Sequence, residues 1–147
     1  MIAIPFAKKF FNNNEANTIA EAVTNAEKKT SGEIRVHIAG KCKEDVLDCA
    51  AAIFRQLGMD KTSLRNGVLI YLAVDDHKFA IIGDSGINAV VPANFWDIIK
   101  EKMQLKFKEH QFVEGLCEGI AMTGEYLKKH FPYQQDDINQ LPNDVSY

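Results

Sequence analysis

The spacing of apolar residues predicts two helices and one strand in the first part of the chain. A helix is expected after the asparagines at 12–14, which offer N-caps, and it should stop at the Thr-Ser-Gly of residues 30–32. Residues 33–39 alternate between polar and apolar side chains, which is typical of a half-buried strand. Residues 43–57 return to helical spacing. If a parallel strand follows, these elements make a right-handed βαβ unit.

The central segment predicts a β-hairpin. Gly67–Val74 is a nearly unbroken apolar run, which favours a strand buried on both faces. Asp75-Asp76-His77 is a turn sequence, and Lys78–Ile82 reads as the returning antiparallel strand. Gly83-Asp84-Ser85-Gly86 then forms a flexible turn that carries one carboxylate.

The last part of the chain predicts two helices. Pro92 suits the first turn of one helix, whose apolar stripe repeats every four residues through Phe107. A break at residues 109–111 separates it from a final helix that Pro132 ends. We therefore expect one α/β domain over residues 1–132, with a small mixed sheet and helices packed against it. Residues 133–147 are polar and acidic, and a disordered tail is expected there.

Composition narrows the classes of function. The formal net charge is −3 over 147 residues, and the acidic tail accounts for it, so the rest is neutral. No basic surplus points to nucleic acid. No apolar run reaches the length of a membrane span, and the first residues lack the order of a signal peptide. We expect a soluble cytoplasmic protein that binds neither nucleic acid nor membrane.

The cysteines are expected to be free thiols. Cys42, Cys49 and Cys117 form an odd set without a CxxC motif or a paired histidine spacing. This usage is typical of a reducing compartment.

Strand polarity brings polar residues to one edge of the sheet. The two parallel strands begin at that edge, and the second hairpin strand ends there, so the residues flanking these three points should meet. Carboxylate, amide and backbone oxygens suit a hard cation, Ca²⁺ or alternatively Mg²⁺. The candidate ligands are Glu33, Asn66, Asp84, Asn88 and Asp60, with a reserve site at Asp75 and Asp76 on the opposite edge.

A purely structural interpretation of the same residues stays open. Asp75-Asp76 is a common turn preference, and Asp84 can organise its own turn. Glu33 can pair with Arg65.

Four segments of the chain carry a resemblance to a known family: TSGEIRV (30–36), RNGVLIYLAV (65–74), FAIIGDSGIN (79–88) and FKEHQFVEG (107–115). In these segments the chain resembles the TPM domain family, named after a thylakoid lumen protein, a photosystem II repair protein and a nematode receptor modulator. The resemblance covers about residues 14–132.

The resemblance implies a three-layer α/β/α sandwich. Some members of the family are described as acid phosphatases, some bind Ca²⁺, and many have no assigned activity. Familiar members carry a glycine-tyrosine-glycine after the hairpin, whereas this chain has Gly83-Asp84-Ser85-Gly86, which adds a carboxylate. They also commonly carry a signal peptide and a membrane anchor or glycine-rich tail, which we do not expect here.

Three functions follow from these observations. The first is a domain that binds a divalent cation, preferably Ca²⁺, at the edge that holds Asp84. The second is a metal-assisted phosphomonoesterase, in which Arg65 clamps phosphate and Asp84 acts as nucleophile or base. The third is a protein-interaction module in which the metal orders loops and an unknown partner docks near Trp96.

Overall fold

A mixed three-stranded sheet lies between two layers of helices. The computed structural model describes residues 10–133 and 143–147. In chain order the elements are α1 (Asn13–Glu27), β1 (Glu33–Ala39), α2 (Val46–Gln56), a 3-10 turn (Met59–Lys61), β2 (Gly67–Ala73), β3 (Lys78–Gly83), α3 (Ser85–Asn88), α4 (Phe95–Lys108) and α5 (Phe112–His130).

The sheet has the topology that the sequence predicts. Its strand order is β1-β2-β3. β1 runs parallel to β2 with Glu33 opposite Gly67, and β3 runs antiparallel to β2 with Gly83 opposite Val68. The start of β1, the start of β2 and the end of β3 therefore share one edge, which we call the Asp84 edge. The hairpin turn lies at the other end, the hairpin edge.

Both faces of the central strand are covered. Val68, Ile70 and Leu72 of β2 belong to the larger core, which α1, α4 and α5 complete. Leu69 and Tyr71 face the smaller core under α2. All seven residues of β2 are buried, which confirms the prediction of a strand covered on both sides. Of the two isoleucines of β3, Ile81 is buried, whereas Ile82 is half-buried.

Local capping explains where two of the helices begin. The Asn12 side chain accepts a hydrogen bond from the backbone N–H of Glu15, and the Glu15 carboxylate accepts one from the backbone N–H of Asn12. The predicted turn at residues 83–86 is instead the start of a short helix. Asp84 is its N-cap, because the carboxylate accepts the N–H of Ser85.

Residues 143–147 lie beside β1, one of the two outer strands of the sheet. The Ser146 N–H donates to the Val36 carbonyl at 2.8 Å, and the Ile38 N–H donates to the Ser146 carbonyl at 2.8 Å. An edge strand leaves such backbone groups unpaired, so even a polar segment can be held there. This pairing corrects the prediction of a disordered tail for residues 143–147. Residues 134–142 lie outside the described residues.

A disulfide joins Cys42 to Cys49, so the prediction of free thiols is wrong for these two residues. Cys49 lies in the first half of α2 and faces the preceding loop, with a Cα–Cα distance of 6.2 Å to Cys42. Cys117 is free. The cysteines therefore no longer support a reducing compartment. Among residues 10–133 and 143–147, no helix is long and apolar enough to cross a membrane.

Candidate functional site

A forked ion pair marks the Asp84 edge. The Arg65 Nε lies 2.8 Å from Asp84 Oδ2, and Arg65 Nη2 lies 3.0 Å from Asp84 Oδ1. Asp84 Oδ1 also accepts the Ser85 N–H at 2.7 Å. Both carboxylate oxygens are thus engaged, with the fixed geometry that a guanidinium fork imposes.

The backbone of the two flanking loops fixes this pair. Arg65 adopts a left-handed conformation with φ of 51°, and its carbonyl accepts the Gly86 N–H at 2.9 Å. A Cβ on Gly86 would lie 2.2 Å from the Leu64 carbonyl oxygen, so no larger residue fits there without displacing the loop. The second glycine of the GDSG sequence therefore serves this close approach.

A cavity of about 250 Å³ opens beside the ion pair. Its charged lining residues are Arg55, Asp60, Arg65 and Asp84. Asp60 belongs to the 3-10 turn after α2, and its Oδ1 is buried without a hydrogen-bond partner among the described residues. Buried carboxylate oxygens are nearly always satisfied, so this one indicates room for a ligand or solvent.

Exposure differs sharply across the ion pair. The Asp84 side chain is 7% exposed, whereas the Arg65 side chain is 51% exposed. The hydrogen bonds and charge of Asp84 raise the pKa of Arg65 above its ordinary value, and Asp60 adds to this effect. Arg65 therefore stays charged. Because its guanidinium is the exposed half of the pair, it can be solvated by water when it leaves Asp84.

The remaining predicted ligands lie outside this cavity. The Asn66 side chain lies 3.5 Å from the Ser31 hydroxyl. The Asn88 amide donates to the Gly83 carbonyl at 3.0 Å and accepts from Trp96 Nε1 at 3.3 Å. Of the five proposed ligands, the structure thus brings together Asp60 and Asp84.

Glu33 takes part in a separate acidic pair. It is 3% exposed, and its carboxyl interacts with that of Glu27 at the end of α1. Glu27 also accepts the Ile34 N–H at 2.9 Å and hydrogen-bonds with Asn143. Burial, together with the neighbouring Glu33 carboxyl, raises the pKa of Glu27 to about 8. These two carboxyl groups therefore hold a proton at neutral pH.

The reserve residues at the hairpin edge have local roles. The Asp76 carboxylate accepts the Cys42 N–H at 2.7 Å, which ties the hairpin to the disulfide loop. The Asp75 carboxylate lies beside Gly40. Within the described part of the chain, no three His, Cys, Asp or Glu side chains are grouped so that they could hold a metal ion by themselves.

Sequence reasoning missed two members of these sites. Arg55 lies in the last turn of α2, where a basic side chain is ordinarily explained by the helix end. Glu27 lies on the helix before β1 and comes to Glu33 through the tight turn at residues 28–32. Its position six residues before Glu33 was the available signal.

Comparison with known proteins gives one family and several solved structures. The model of the TPM domain matches residues 6–126. The BA42 protein of the psychrophilic bacterium Bizionia argentinensis has a solution structure 49% identical in sequence, with a TM-score of 0.88. The alignment covers 93% of this chain and 94% of BA42.

Two more distant structures share the fold. The N-terminal domain of a P. gingivalis protein is 19% identical with a TM-score of 0.66, over 85% of this chain and 82% of that domain. The N-terminal domain of the cg2496 protein of Corynebacterium glutamicum is 11% identical with a TM-score of 0.63, over 80% and 74%. No curated protein matches the chain.

Proposed function

The chain belongs to the TPM domain family, and from that premise we propose that it binds a divalent cation, Ca²⁺ before Mg²⁺, between Asp60 and Asp84. One observation carries the proposal. Asp60 Oδ1 is buried, accepts no hydrogen bond from the described residues, and belongs to a carboxylate that lines the same cavity as Asp84. A cation there would satisfy the oxygen and use two carboxylates as ligands.

The donor set favours Ca²⁺ over softer metals. Asp60 and Asp84 supply oxygen, and water would fill the remaining positions of a site that takes six to eight oxygen ligands. The cavity, at about 250 Å³, has room for several water molecules. Histidine and cysteine, the ligands that zinc prefers, are not among the residues that line it.

Arg65 acts as the competitor of the cation. Its guanidinium neutralises Asp84 through two hydrogen bonds, so a cation must displace at least one of them to use that carboxylate. The exchange is feasible because Arg65 is half exposed and can be solvated elsewhere. We therefore expect affinity in the range of modest rather than tight Ca²⁺ sites.

Calorimetric titration of the metal-stripped protein with Ca²⁺ tests the site. Wild type should show one saturable event, and Asp60→Asn should weaken it by about tenfold or more, because the unsatisfied charge is removed. Asp75→Asn, at the hairpin edge, is the matched control and should bind like wild type. Equal binding by wild type and Asp60→Asn, with loss in Asp75→Asn, would move the site to the other edge.

A phosphomonoesterase is the second candidate, because two arginines line the same cavity. Arg55 and Arg65 together could hold a phosphate dianion beside Asp84. Attack by the Asp84 carboxylate on phosphorus would break the ester P–O bond, release the alcohol after protonation by water, and leave an acyl phosphate for hydrolysis.

Hydrolysis of p-nitrophenyl phosphate with Ca²⁺ or Mg²⁺ tests this second candidate. Three hydrogen bonds already hold Asp84, to Arg65 and Ser85, so we expect turnover no higher than in Asp84→Asn. Turnover that is lost in both Asp84→Asn and Arg55→Gln would instead establish the enzyme.

A further inference from the structure

A second cavity, of about 260 Å³, lies at the hairpin edge. Its apolar wall consists of Leu72 and three phenylalanines, Phe79, Phe107 and Phe112. Phe107 packs edge-on against Phe79 at 4.9 Å between ring centroids and stacks on Phe112 at 5.6 Å. All three rings are only half-buried, so each keeps apolar surface that a small molecule could cover.

The polar lining of this cavity is basic or neutral. His77, Lys108 and His110 line it together with Gln104, and no acidic residue is among its described lining residues. Both histidines have left-handed backbones, with φ of 54° and 60°. Such conformations are uncommon outside glycine and occur at ligand sites as well as turns. Lys100 adds further positive charge, 5.9 Å from the Phe79 ring centroid.

We propose that this cavity binds a small organic anion with one aromatic ring or a short alkyl chain and a carboxylate. The three phenyl rings would cover the apolar body, since aromatic rings pack well edge-on or offset. The Lys108 ammonium and the imidazole N–H groups would receive the carboxylate, because charge-assisted hydrogen bonds are the strongest available there. A cavity of this size admits one ring and its acid group, but no large cofactor.

The site is independent of the proposed cation site. β3 runs from Lys78 beside this cavity to Gly83 beside the other, and six strand residues span roughly 17–20 Å. The two sites therefore have no ligand residue in common, and either proposal can fail alone.

Titration of the ¹⁵N-labelled full-length protein with phenylacetate tests the proposal. We expect saturable shifts of the backbone amides of His77, Phe79, Lys108 and Phe112, with the Asp84 edge unchanged. Phenylacetamide has the same shape without the charge and should bind about tenfold more weakly. Benzylamine, with the opposite charge, should bind more weakly still.

Three variants separate the contributions. Lys108→Gln should weaken phenylacetate by roughly fivefold or more and leave phenylacetamide unchanged. Gln104→Trp should fill the cavity and abolish binding of both, whereas Leu105→Trp, on the exposed side of the same helix, should bind like wild type. Thermal melting verifies that each variant is folded. Shifts that do not saturate, equal affinity for acid, amide and amine, or binding that survives Gln104→Trp would overturn the proposal.

Discussion

Two buried carboxyl sites lie at the same edge of the sheet. Burying a carboxylate away from water costs free energy, and the two sites offset this cost in different ways. Asp84 is 7% exposed and is paired with Arg65 through two hydrogen bonds in a forked ion pair. Glu33 is 3% exposed and meets a second carboxyl, Glu27, whose pKa is raised. The Asp84 carboxylate can bind a cation if the exposed Arg65 side chain moves away. The Glu27–Glu33 pair holds a proton instead of a cation, so it contributes to packing and not to binding.

The largest expected effect is common to both sites, because both are built around β2. Ile70 is fully buried in the centre of that strand. Ile70→Ala should lower the free energy of unfolding by roughly 2–5 kcal/mol, as the transfer and cavity terms add. Urea denaturation measures it. The substitution does not change the two sites themselves. The curve of unfolding free energy against pH should therefore be lower than that of wild type but have the same shape.

The pH dependence of stability sharpens the comparison at the Glu27 pair. The folded pKa of about 8 exceeds the ordinary value of 4.5, so the unfolded chain releases this proton first as the pH rises. Glu27 therefore costs stability increasingly between pH 4.5 and 8 and no more above that. Glu27→Gln should remove this decline, because the amide can still accept the Ile34 N–H and donate to Glu33.

His37 serves as the internal reference for that measurement. Burial, with the nearby charge of Arg35, lowers the pKa of His37 to about 4. Because this folded pKa lies below the ordinary value of 6.5, His37 adds stability as the pH rises from 4 to 6.5. Urea denaturation at several pH values gives the free energy of unfolding of wild type and of Glu27→Gln. Because both proteins contain His37, its contribution cancels in the difference between them. A difference that stays constant from pH 5 to 8 would contradict the assignment to Glu27.

A smaller effect tests the competition at Asp84. Arg65→Gln removes the guanidinium and leaves the carboxylate free for a cation, so the Ca²⁺ affinity should rise about threefold to tenfold while the metal-free protein becomes less stable. Calorimetric titration measures the first quantity and thermal melting the second. Arg55→Gln keeps the ion pair and should change the affinity less. Weaker Ca²⁺ binding in Arg65→Gln would show that Arg65 supports the site instead of competing for it.

The sequence predicted which strand ends share one edge of the sheet, but not the division of that edge into two groups of residues. Strand polarity places Glu33, Gly67 and Gly83 at one edge, which the pairing confirms. Periodicity does not say that β1 and β3 lie on opposite sides of β2, so that Glu33 and Asp84 are two strands apart. Glu27 joins Glu33 through the turn between α1 and β1, and the path of a turn is not encoded in apolar spacing.

Contacts between loops and helices account for the other differences. Cys42 and Cys49 have no recognisable spacing motif, and only the direction in which α2 leaves its loop brings them together. Residues 143–147 lack an apolar stripe and are held by backbone hydrogen bonds to β1, which any sequence can donate. By contrast, the apolar run of β2 predicted a strand buried on both faces, because apolar side chains on both faces of a strand favour burial of both.

If Asp84 and Asp60 form the proposed cation site, Ca²⁺ should raise the melting temperature of the protein. A ligand that binds only the folded state adds about 2.7 kcal/mol at a hundred times its dissociation constant, which corresponds to roughly 5–10 °C for a domain of this size. Metal-stripped wild type should show this rise, and Asp84→Asn, which keeps the side chain's size and its capping oxygen, should lose most of it. An equal rise in wild type and Asp84→Asn, or no rise in wild type, would rule out a cation site that uses the Asp84 carboxylate.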